Sequence, residues 1–375
     1  MDVLIVGGGV IGLAVAWRAA ARGLTVTVVD PAPASGASHV AAGMITPVSE
    51  ATYGEEPLLH LGLASRDRYP GFVAELEELT GTGTGFRDDG LLQVAFDADD
   101  LAALDELRRF QEAVGVRTEA LTGRDCRRLE PLLAPSVRGG LLAGDDGAID
   151  PRRLCAALLT AVERSGCTLV RDRASGLLVE HDTAVGVRLA AGGELRAGQV
   201  VLAAGCWSGE LAGLPPGVLP PIRPVKGQIL RLRARLPFLT RCTRGLVKGS
   251  SIYLVPRADG EVVAGATQEE QGFDTTVTAG GLWEMLRDAR ELVPGITELE
   301  FAEVVAGLRP GSPDNAPILG PTRLAGLHLA GGHYRSGILL TPVTADVIAE
   351  ILTTGQVPEV AKHFTAERFG RAGDR

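Results

Sequence analysis

Apolar runs and a segment of helical periodicity alternate at the start of the chain. Residues 2–6 form a β-branched run, residues 7–12 a glycine-rich turn, and an alanine-rich segment continues to Arg22. Gly23 ends that segment, and residues 25–29 form a second apolar run. A strand, a turn, a helix and a second strand within about 30 residues predict a βαβ unit with a right-handed connection.

Helical periodicity returns three times in the next 140 residues. The predicted helices lie at about residues 57–80, interrupted at Pro70, at 99–114 and at 151–164. Asp150 and Pro151 begin the last of these, since aspartate is a preferred N-cap and proline is favoured at the first helical position.

Period-two alternation then dominates and predicts a second sheet. It runs from Pro224 to Leu308, with one helix near residues 280–293, and indicates a mixed or antiparallel sheet. The last 60 residues return to a glycine turn and a helix that begins near Gly337. Ahead of the second sheet, strands are predicted at 168–171, 176–181, 184–190 and 199–205, the last wholly apolar as in a strand buried on both faces.

Charge and composition exclude several classes of partner. The formal net charge is −9 and no basic stripe is present, which argues against nucleic acid. No apolar stretch reaches about 18 residues, so a membrane span is not expected. Five scattered cysteines without a C-x-x-C pair, and a first segment without a basic region, predict a cytoplasmic protein. The histidines show no metal-ligand spacing, so no metal is predicted.

The glycine turn after the first strand carries the main chemical prediction. Gly7, Gly9 and Gly12 form G-x-G-x-x-G between a strand and a helix, where the backbone can approach a pyrophosphate and the helix N-terminus favours its charge. Asp30 ends the second strand and can bond a ribose hydroxyl. The motif predicts a dinucleotide and leaves NAD and FAD open.

Two further segments of small residues favour a flavin. Residues 41–44 (AAGM) would let the backbone approach an isoalloxazine ring. Residues 331–339 form a second glycine-rich turn that enters a helix, whose N-terminus can face the ring edge that becomes negative on reduction.

These pieces together resemble the glycine/D-amino-acid oxidase family of FAD enzymes, and within it the glycine oxidases of thiamine biosynthesis. The matching segments appear in the order of that family from residue 1 to about 345: VLIVGGGVIG, SGASHVAAGM, VVLAAGCWSG, PVKGQIL, YLVPR, VVAGAT, AGLRPGSPDNAPILG and GGHYRSGILLTP. The resemblance implies an α/β fold with a Rossmann-like FAD domain and a substrate domain built on a mixed or antiparallel sheet. The implied FAD domain comprises residues 1–47, 137–210 and 311–375, and the substrate domain residues 48–136 and 211–310.

The resemblance also implies a reaction and the residues that support it. Hydride would leave the Cα of glycine for flavin N5, and oxygen would reoxidise the flavin to give iminoacetate or glyoxylate, ammonia and hydrogen peroxide. Arg309 corresponds to the arginine that holds the substrate carboxylate, and Tyr253 to the active-site tyrosine. Arg335 and Gln268 are further substrate-binding candidates. Gln268 stands where characterised relatives have methionine, and Tyr334 where they have phenylalanine.

The flavin contacts implied by the resemblance come from several segments. No cysteine lies in the C-terminal context that carries covalent flavin in sarcosine oxidases, so noncovalent FAD is expected. The expected contacts are Gly7, Gly9, Val10, Ile11, Gly12, Asp30, Pro31, Ser38, Ala42, Gly43, Met44, Ser175, Gly205, His333, Tyr334, Arg335, Ser336, Gly337, Ile338 and Leu339.

Several alternatives stay open at this point. A D-amino-acid or sarcosine oxidase would use the same machinery, and an amino-acid dehydrogenase would pass electrons to a quinone. A flavin-binding sensor would bind FAD without turnover. The expected partners are glycine or another small amino acid, oxygen, a second copy of the chain in a homo-oligomer and, downstream, a thiazole synthase.

Overall fold

The computed structural model describes residues 1–247 and 249–370. The helices are α1 (Val10–Ala21), α2 (Ala37–Val40), α3 (Glu56–Thr80), α4 (Ala98–Ala113), α5 (Gly123–Leu129), α6 (Pro151–Arg164), α7 (Ala279–Leu292) and α8 (Thr341–Thr354). The strands are β1 (Val3–Val6), β2 (Val26–Val29), β3 (Met44–Ile45), β4 (Leu91–Ala95), β5 (Glu119–Thr122), β6 (Gly139–Ala143), β7 (Gly147–Ala148), β8 (Thr168–Val170), β9 (Ala174–Glu180), β10 (Thr183–Leu189), β11 (Glu194–Arg196), β12 (Gln199–Leu202), β13 (Arg223–Arg233), β14 (Cys242–Val247), β15 (Ser250–Pro256), β16 (Glu261–Gly265), β17 (Glu300–Gly311), β18 (Ile318–Pro321) and β19 (Leu327–Gly331).

A six-stranded sheet contains the predicted βαβ unit. Its strand order is β18-β19-β12-β1-β2-β8, and all neighbours are parallel except β18 with β19. The four residues of β1 are buried on both faces, because α1, α6 and α8 cover one side and the β9–β10 hairpin lies towards the other. The predicted α/β class with a Rossmann-like unit is confirmed.

Close packing at the first glycine turn fixes the position of α1. A Cβ atom on Gly12 would collide with the carbonyl oxygen of Gly7, and one on Gly7 would collide with the backbone of Ala203. Gly7 also has φ +108°, a backbone conformation that residues other than glycine rarely adopt. The turn therefore places the first backbone amides of α1 directly above the ends of β1 and β12.

An eight-stranded sheet forms the second layer of the molecule. Its order is β17-β13-β16-β15-β14-β4-β6-β5. The pairs are antiparallel except β14 with β4, so the sheet is mixed, as predicted. Helix α7 packs on one face, where Met285, Ala289 and Leu292 are buried against the strands. The opposite face lies towards the six-stranded sheet and carries a separate cluster around Val40, Ile229 and Val263.

Backbone contacts at the end of β17 connect the two layers. Gly311 forms a β-bridge with His333, and the amide of Tyr334 donates to the carbonyl of Pro310 at 2.9 Å. The strand that carries Arg309 is therefore fixed to the turn after β19, so side chains from the two sheets keep a defined spacing.

The structure corrects three predicted boundaries. Helix α3 continues through Pro70, because this residue lies on the exposed face, where water can replace the lost backbone hydrogen bond, while Tyr69, Phe72 and Val73 stay buried. The strand predicted to 205 ends at Leu202, and a 3₁₀ segment follows from Gly205. The last helix begins at Thr341 instead of near Gly337.

The reason for the late start of α8 is a turn that the sequence pattern did not reveal. The amide of Ser336 donates to the carbonyl of His333, and that of Leu340 to the carbonyl of Ser336. Pro342 then occupies the first helical turn, where a proline costs no hydrogen bond. In contrast, α6 begins as predicted, with Asp150 accepting from the amides of Arg152 and Arg153.

The predicted domain boundaries remain predictions. Strand β6 lies inside the range expected for the FAD domain, yet it pairs with β4 and β5 in the eight-stranded sheet. The five cysteines are free. None of the helices in residues 1–247 and 249–370 combines the length and apolar character needed to cross a membrane.

We expect Gly12→Val to lower the free energy of unfolding by several kcal/mol, since its side chain must displace α1 from β1. Gly71→Ala is the matched control, because a Cβ atom there meets open space and alanine favours a helix. Chemical denaturation followed by circular dichroism measures both. An unchanged midpoint for Gly12→Val would contradict the close packing at this turn.

Candidate functional site

A long cavity of about 770 Å³ joins the two layers. It begins at the N-terminus of α1, passes the ends of β2 and β12, and reaches the face of the eight-stranded sheet at Tyr253 and Arg309. Its volume lies in the range typical of ligand sites. An elongated ligand can therefore contact the glycine turn at one end and the sheet at the other.

Backbone donors and one carboxylate define the end of the cavity at α1. Asp30 accepts from the amide of Gly8 and from the amide of Ala32, both at 2.7 Å, so it fixes the turn against the end of β2. The amide of Val10 donates to the hydroxyl of Ser38 at 3.0 Å. These contacts hold the glycine turn in place, and the N-terminus of α1 above it favours an anion, as helix N-termini do.

Tight backbone packing also shapes the middle of the cavity. Gly43 has φ +84°, and a Cβ atom there would collide with the carbonyl of Ile149. The buried guanidinium of Arg257 donates to the carbonyls of Ala42 and Ile149. These contacts hold the 41–44 segment in the wall, where its small residues allow a flat ligand to approach the backbone.

Arg309 lies at the far end of the cavity, on β17. Its Nη1 donates to the carbonyls of Thr267 (3.2 Å) and Lys226 (3.3 Å). A Cβ atom on Gly227 would collide with the guanidinium, so the group lies flat on that strand. Within residues 1–247 and 249–370, its Nε and Nη2 make no hydrogen bond or ion pair and remain free to bind a ligand anion.

An ion pair between a buried lysine and a half-buried glutamate lies beside the two carbonyls that hold Arg309. Lys226, which is 1% exposed, lies 3.2 Å from Oε2 of Glu269. Oε1 of Glu269 accepts from Thr267 Oγ1 (2.6 Å) and from Gln228 Nε2 (2.8 Å). The segment around Thr267 is thereby joined to β13, and the Arg309 anchor becomes rigid.

Tyr253 projects from β15 into the same end of the cavity. Burial raises the pKa of its phenol, while the positive charges of Arg309, Arg244 and Arg335 oppose that effect. The phenol therefore stays protonated near neutral pH and can donate to an anion. A Cβ atom on Gly265 would collide with the hydroxyl, so the neighbouring strand leaves room for it.

Arg335 and Gln268 meet at the exposed rim. Nη2 of Arg335 donates to Oε1 of Gln268 at 2.8 Å. The guanidiniums of Arg335 and Arg223 lie 5.5 and 6.0 Å from the ring centroid of Tyr334, on which both can stack. The two substrate-binding candidates at the rim thus hold each other in place.

Most of the residues predicted for the site line the cavity. Gly12, Ser336 and Leu339 do not. Gly12 lies on the face of α1 that packs against Gly7, whereas Ser336 and Leu339 line a small second pocket beside α3. The predicted residues that do line it are Gly7, Gly9, Val10, Ile11, Asp30, Pro31, Ser38, Ala42, Gly43, Met44, Ser175, Gly205, Tyr253, Gln268, Arg309, His333, Tyr334, Arg335, Gly337 and Ile338.

Sequence reasoning missed several polar residues in the wall, among them Glu50, Arg244 and Ser251. Ser251 precedes Tyr253 by two residues, so the period-two alternation of β15 was a signal for it. Arg244 pairs with Tyr253 across the β14–β15 ladder, a register that the sequence pattern does not give. No local sequence pattern identified Glu50 as a residue of the site.

His333 forms part of the wall but is buried, at 3% exposure, with Nε2 3.0 Å from Thr344 Oγ1. Burial lowers its pKa to about 3. The imidazole is therefore neutral under ordinary conditions and serves as a structural group. In the part of the chain that the structure describes, no cluster of three or more His, Cys, Asp or Glu side chains is placed to hold a metal ion.

Comparisons with known proteins agree with this geometry. The model of a family described as FAD dependent oxidoreductase matches residues 2–351. The chain is 35% identical to the bifunctional protein ThiO/ThiG of Trichormus variabilis, over 98% of this chain and 55% of that protein. It is 34% identical to the glycine oxidase of Geobacillus kaustophilus, over 99% and 98% of the two chains.

A solved structure gives the same result. The crystal structure of glycine oxidase from Geobacillus kaustophilus aligns with a TM-score of 0.91 and 32% identity, covering 98% of each chain. The chain spans about half the length of the bifunctional relatives that it matches.

The buried His333 generates a prediction about pH. Because its pKa is about 3 when folded and about 6.5 when unfolded, only the unfolded chain takes up this proton between those values. Its contribution to stability is complete above pH 6.5 and declines by about 1.4 kcal/mol for each pH unit below it. We expect His333→Asn to flatten the dependence of unfolding free energy on pH between 4 and 6.5.

Denaturant titrations at several pH values measure that slope. His363→Asn, at an exposed position, is the control and should keep the slope of the unmodified chain. An identical slope in His333→Asn would show that His333 takes up its proton in the folded state.

Proposed function

The chain belongs to the family of FAD dependent oxidoreductases, and we propose that it is a glycine oxidase, which converts glycine, oxygen and water to glyoxylate, ammonia and hydrogen peroxide. Bound FAD supplies the hydride acceptor. The observation that carries the choice of an amino-acid substrate is the Arg309 guanidinium, which is anchored through Nη1 and keeps its other donors free towards the cavity.

The shape of the cavity supports FAD as the group it holds. The amides at the start of α1 suit the pyrophosphate, and Asp30 at the end of β2 suits a ribose hydroxyl. The 41–44 segment and the turn before α8 would contact the ring system, because both line the cavity between the α1 end and the eight-stranded sheet. We propose that the binding is noncovalent, through the predicted residues that line this cavity.

Arg309 and Tyr253 would together hold the substrate carboxylate. A guanidinium presents two parallel donors to a carboxylate, which a lysine cannot do, and the protonated phenol adds a third. With the carboxylate held at the sheet, the rest of the substrate would extend into the cavity that residues 41–44 also line. Gln268 and Arg335 close the rim, where they restrict the size of the substrate.

A small zwitterion suits this end of the cavity better than a large one. Tyr253 and Ile229 fill the wall beside Gly265, and Gln268 is held across the rim by Arg335. We propose further that the product supplies a thiazole synthase of thiamine biosynthesis, in line with the bifunctional name of the Trichormus relative. The homo-oligomer and the cytoplasmic location remain predictions.

The proposed function is tested by mixing the purified yellow protein with glycine in the absence of oxygen. We expect the flavin absorbance to bleach, and on admission of oxygen equal amounts of glyoxylate and hydrogen peroxide to form. Sarcosine and D-alanine are compared under the same conditions. Faster bleaching by either would reassign the substrate, turnover with a quinone and no peroxide would indicate a dehydrogenase, and no bleaching would indicate a sensor.

We expect Arg309→Ala to retain flavin but to lose about 2–5 kcal/mol of transition-state stabilisation, because the carboxylate loses its charge-assisted partner. Steady-state peroxide production gives kcat/KM, and the visible spectrum gives the flavin content. Arg235→Ala, at an exposed arginine, is the control for loss of one positive charge. Equal kcat/KM in the two variants would reject the carboxylate clamp.

A further inference from the structure

The loop between β3 and α3 begins with a buried stretch, residues 46–49, that side chains from elsewhere in the chain hold in place. Asp146 accepts from the amides of Val48 (3.0 Å) and Ser49 (2.9 Å), one with each carboxylate oxygen. The side-chain amide of Gln111 donates to the carbonyl of Val48 at 2.9 Å. Three hydrogen bonds therefore hold the main chain immediately before Glu50.

Burial of the Asp146 carboxyl at this position is energetically unfavourable. It is fully buried, and burial raises the pKa of its carboxyl to about 7 even though the hydrogen bonds from Ser49 and Val48 favour the ionised form. A buried carboxyl without a cation beside it destabilises the fold unless the hydrogen bonds that it accepts compensate for the lost hydration. Its geometric effect is to fix the direction in which residue 50 leaves the loop.

Glu50 points into the cavity from this loop. Its Oε1 lies 3.4 Å from Nη1 of Arg244, and Nε of Arg244 donates to Ser251 Oγ at 3.2 Å. Arg244 stands opposite Tyr253 in the β14–β15 ladder, so the ion pair belongs to the same wall as the phenol. In the described ranges 1–247 and 249–370, Oε2 of Glu50 accepts no hydrogen bond.

Apart from Glu50, the charged groups around Tyr253 are positive, so they would attract the carboxylate of a zwitterion but repel its ammonium group. Arg309, Arg244 and Arg335 all act on the phenol of Tyr253, and among the groups that do so Glu50 supplies the negative charge. Of the other acidic residues of the cavity wall, Asp30 is held at the glycine turn by the amides of Gly8 and Ala32, and Glu210 ends the 3₁₀ segment after β12. A substrate carboxylate held by Arg309 would thus have Glu50 as the carboxylate partner for its ammonium group.

Resting on the proposed function, we propose that Glu50 is the counter-ion of the substrate ammonium group, with Asp146 and Arg244 as its positioning residues. One carbon separates the ammonium from the carboxylate in glycine, so a substrate fixed at Arg309 and Tyr253 carries its ammonium into the same part of the cavity. The site then selects for an amine as well as for a carboxylate.

This arrangement has two opposite consequences that an experiment can separate. An opposite charge strengthens the binding of the zwitterion, but it also stabilises the protonated amine and raises its pKa. Hydride leaves Cα only after the amine has lost a proton. Removing the charge of Glu50 should therefore weaken the binding of glycine and move the pH profile of flavin reduction towards lower pH.

The test compares two ligands in Glu50→Gln. Glycolate has the carboxylate of glycine and a neutral hydroxyl in place of the ammonium, and its affinity can be read from the change in the flavin spectrum. Anaerobic reduction at varied glycine concentration gives the affinity for glycine and the limiting rate. We expect the glycine Kd to rise at least tenfold, the glycolate Kd to change less than twofold, and the pH profile to shift downward.

Two controls make the result specific. Glu78→Gln removes an exposed carboxylate of α3 and should match the unmodified chain with both ligands. Arg309→Ala should lose affinity for both ligands, because both carry the carboxylate. Loss of both ligands in Glu50→Gln would make Glu50 a structural residue and overturn the proposal, as would an unchanged glycine Kd.

The failure of the proposed function would look different. The unmodified protein would then bind glycine without bleaching the flavin, and the glycine affinity would come from the same spectral titration as that of glycolate. A glycine-specific loss in Glu50→Gln would still support the counter-ion, whereas equal changes in both ligands would still reject it.

Discussion

The site depends on the way in which one guanidinium is fixed. Arg309 uses Nη1 for two backbone carbonyls and lies flat against Gly227, where no side chain can stand. The carbonyls are fixed in turn because the buried Lys226 pairs with the half-buried Glu269 across β13 and the 267–269 segment. Loss of Glu269 would leave the charge of the buried Lys226 uncompensated in the sheet. The position of the Arg309 guanidinium therefore depends on this ion pair. The remaining donors of Arg309 therefore face the cavity with little freedom, and a carboxylate bound there has a defined orientation.

That orientation matters only if the flavin end of the cavity is equally fixed relative to the sheet. The bridge between Gly311 and His333 and the hydrogen bond from Tyr334 to Pro310 join the end of β17 to the turn after β19. The six-stranded sheet places that turn beside β12 and β1, against which Gly12 holds α1 in contact. The chain of contacts from Arg309 to the glycine turn is continuous, so the distance between substrate and cofactor is set by backbone packing rather than by flexible side chains.

The sequence predicted the parts of this arrangement that local chemistry determines. The glycine turn before α1 and the Asp150 cap of α6 follow from motifs whose residues are neighbours in the chain, and both are present. The Pro70 break was wrong because burial of Tyr69 and Phe72 holds α3 together, and such burial is a property of the whole fold. The late start of α8 depends on a turn in which the amides of Ser336 and Leu340 bond to carbonyls three and four residues earlier, a conformation that the sequence pattern does not distinguish from a helix. Glu50 and Arg244 are almost 200 residues apart, and their contact depends on how the β3–α3 loop packs beside β14, which no local pattern reveals.

The backbone packing at the glycines and the side-chain contacts of the cavity wall differ in how well they tolerate substitution. Gly7, Gly12 and Gly227 are in contact with backbone or with the anchored guanidinium, so any side chain there displaces a strand or a helix. Glu50, Arg244 and Ser251 are held by side-chain contacts on a loop and a hairpin, and their replacement leaves the ladders of both sheets intact. The proposed cofactor and carboxylate contacts are therefore part of the backbone packing, whereas the proposed ammonium contact is made by side chains. Under that proposal, substitution of Glu50, Arg244 or Ser251 would alter selectivity more than it alters the packing of the fold.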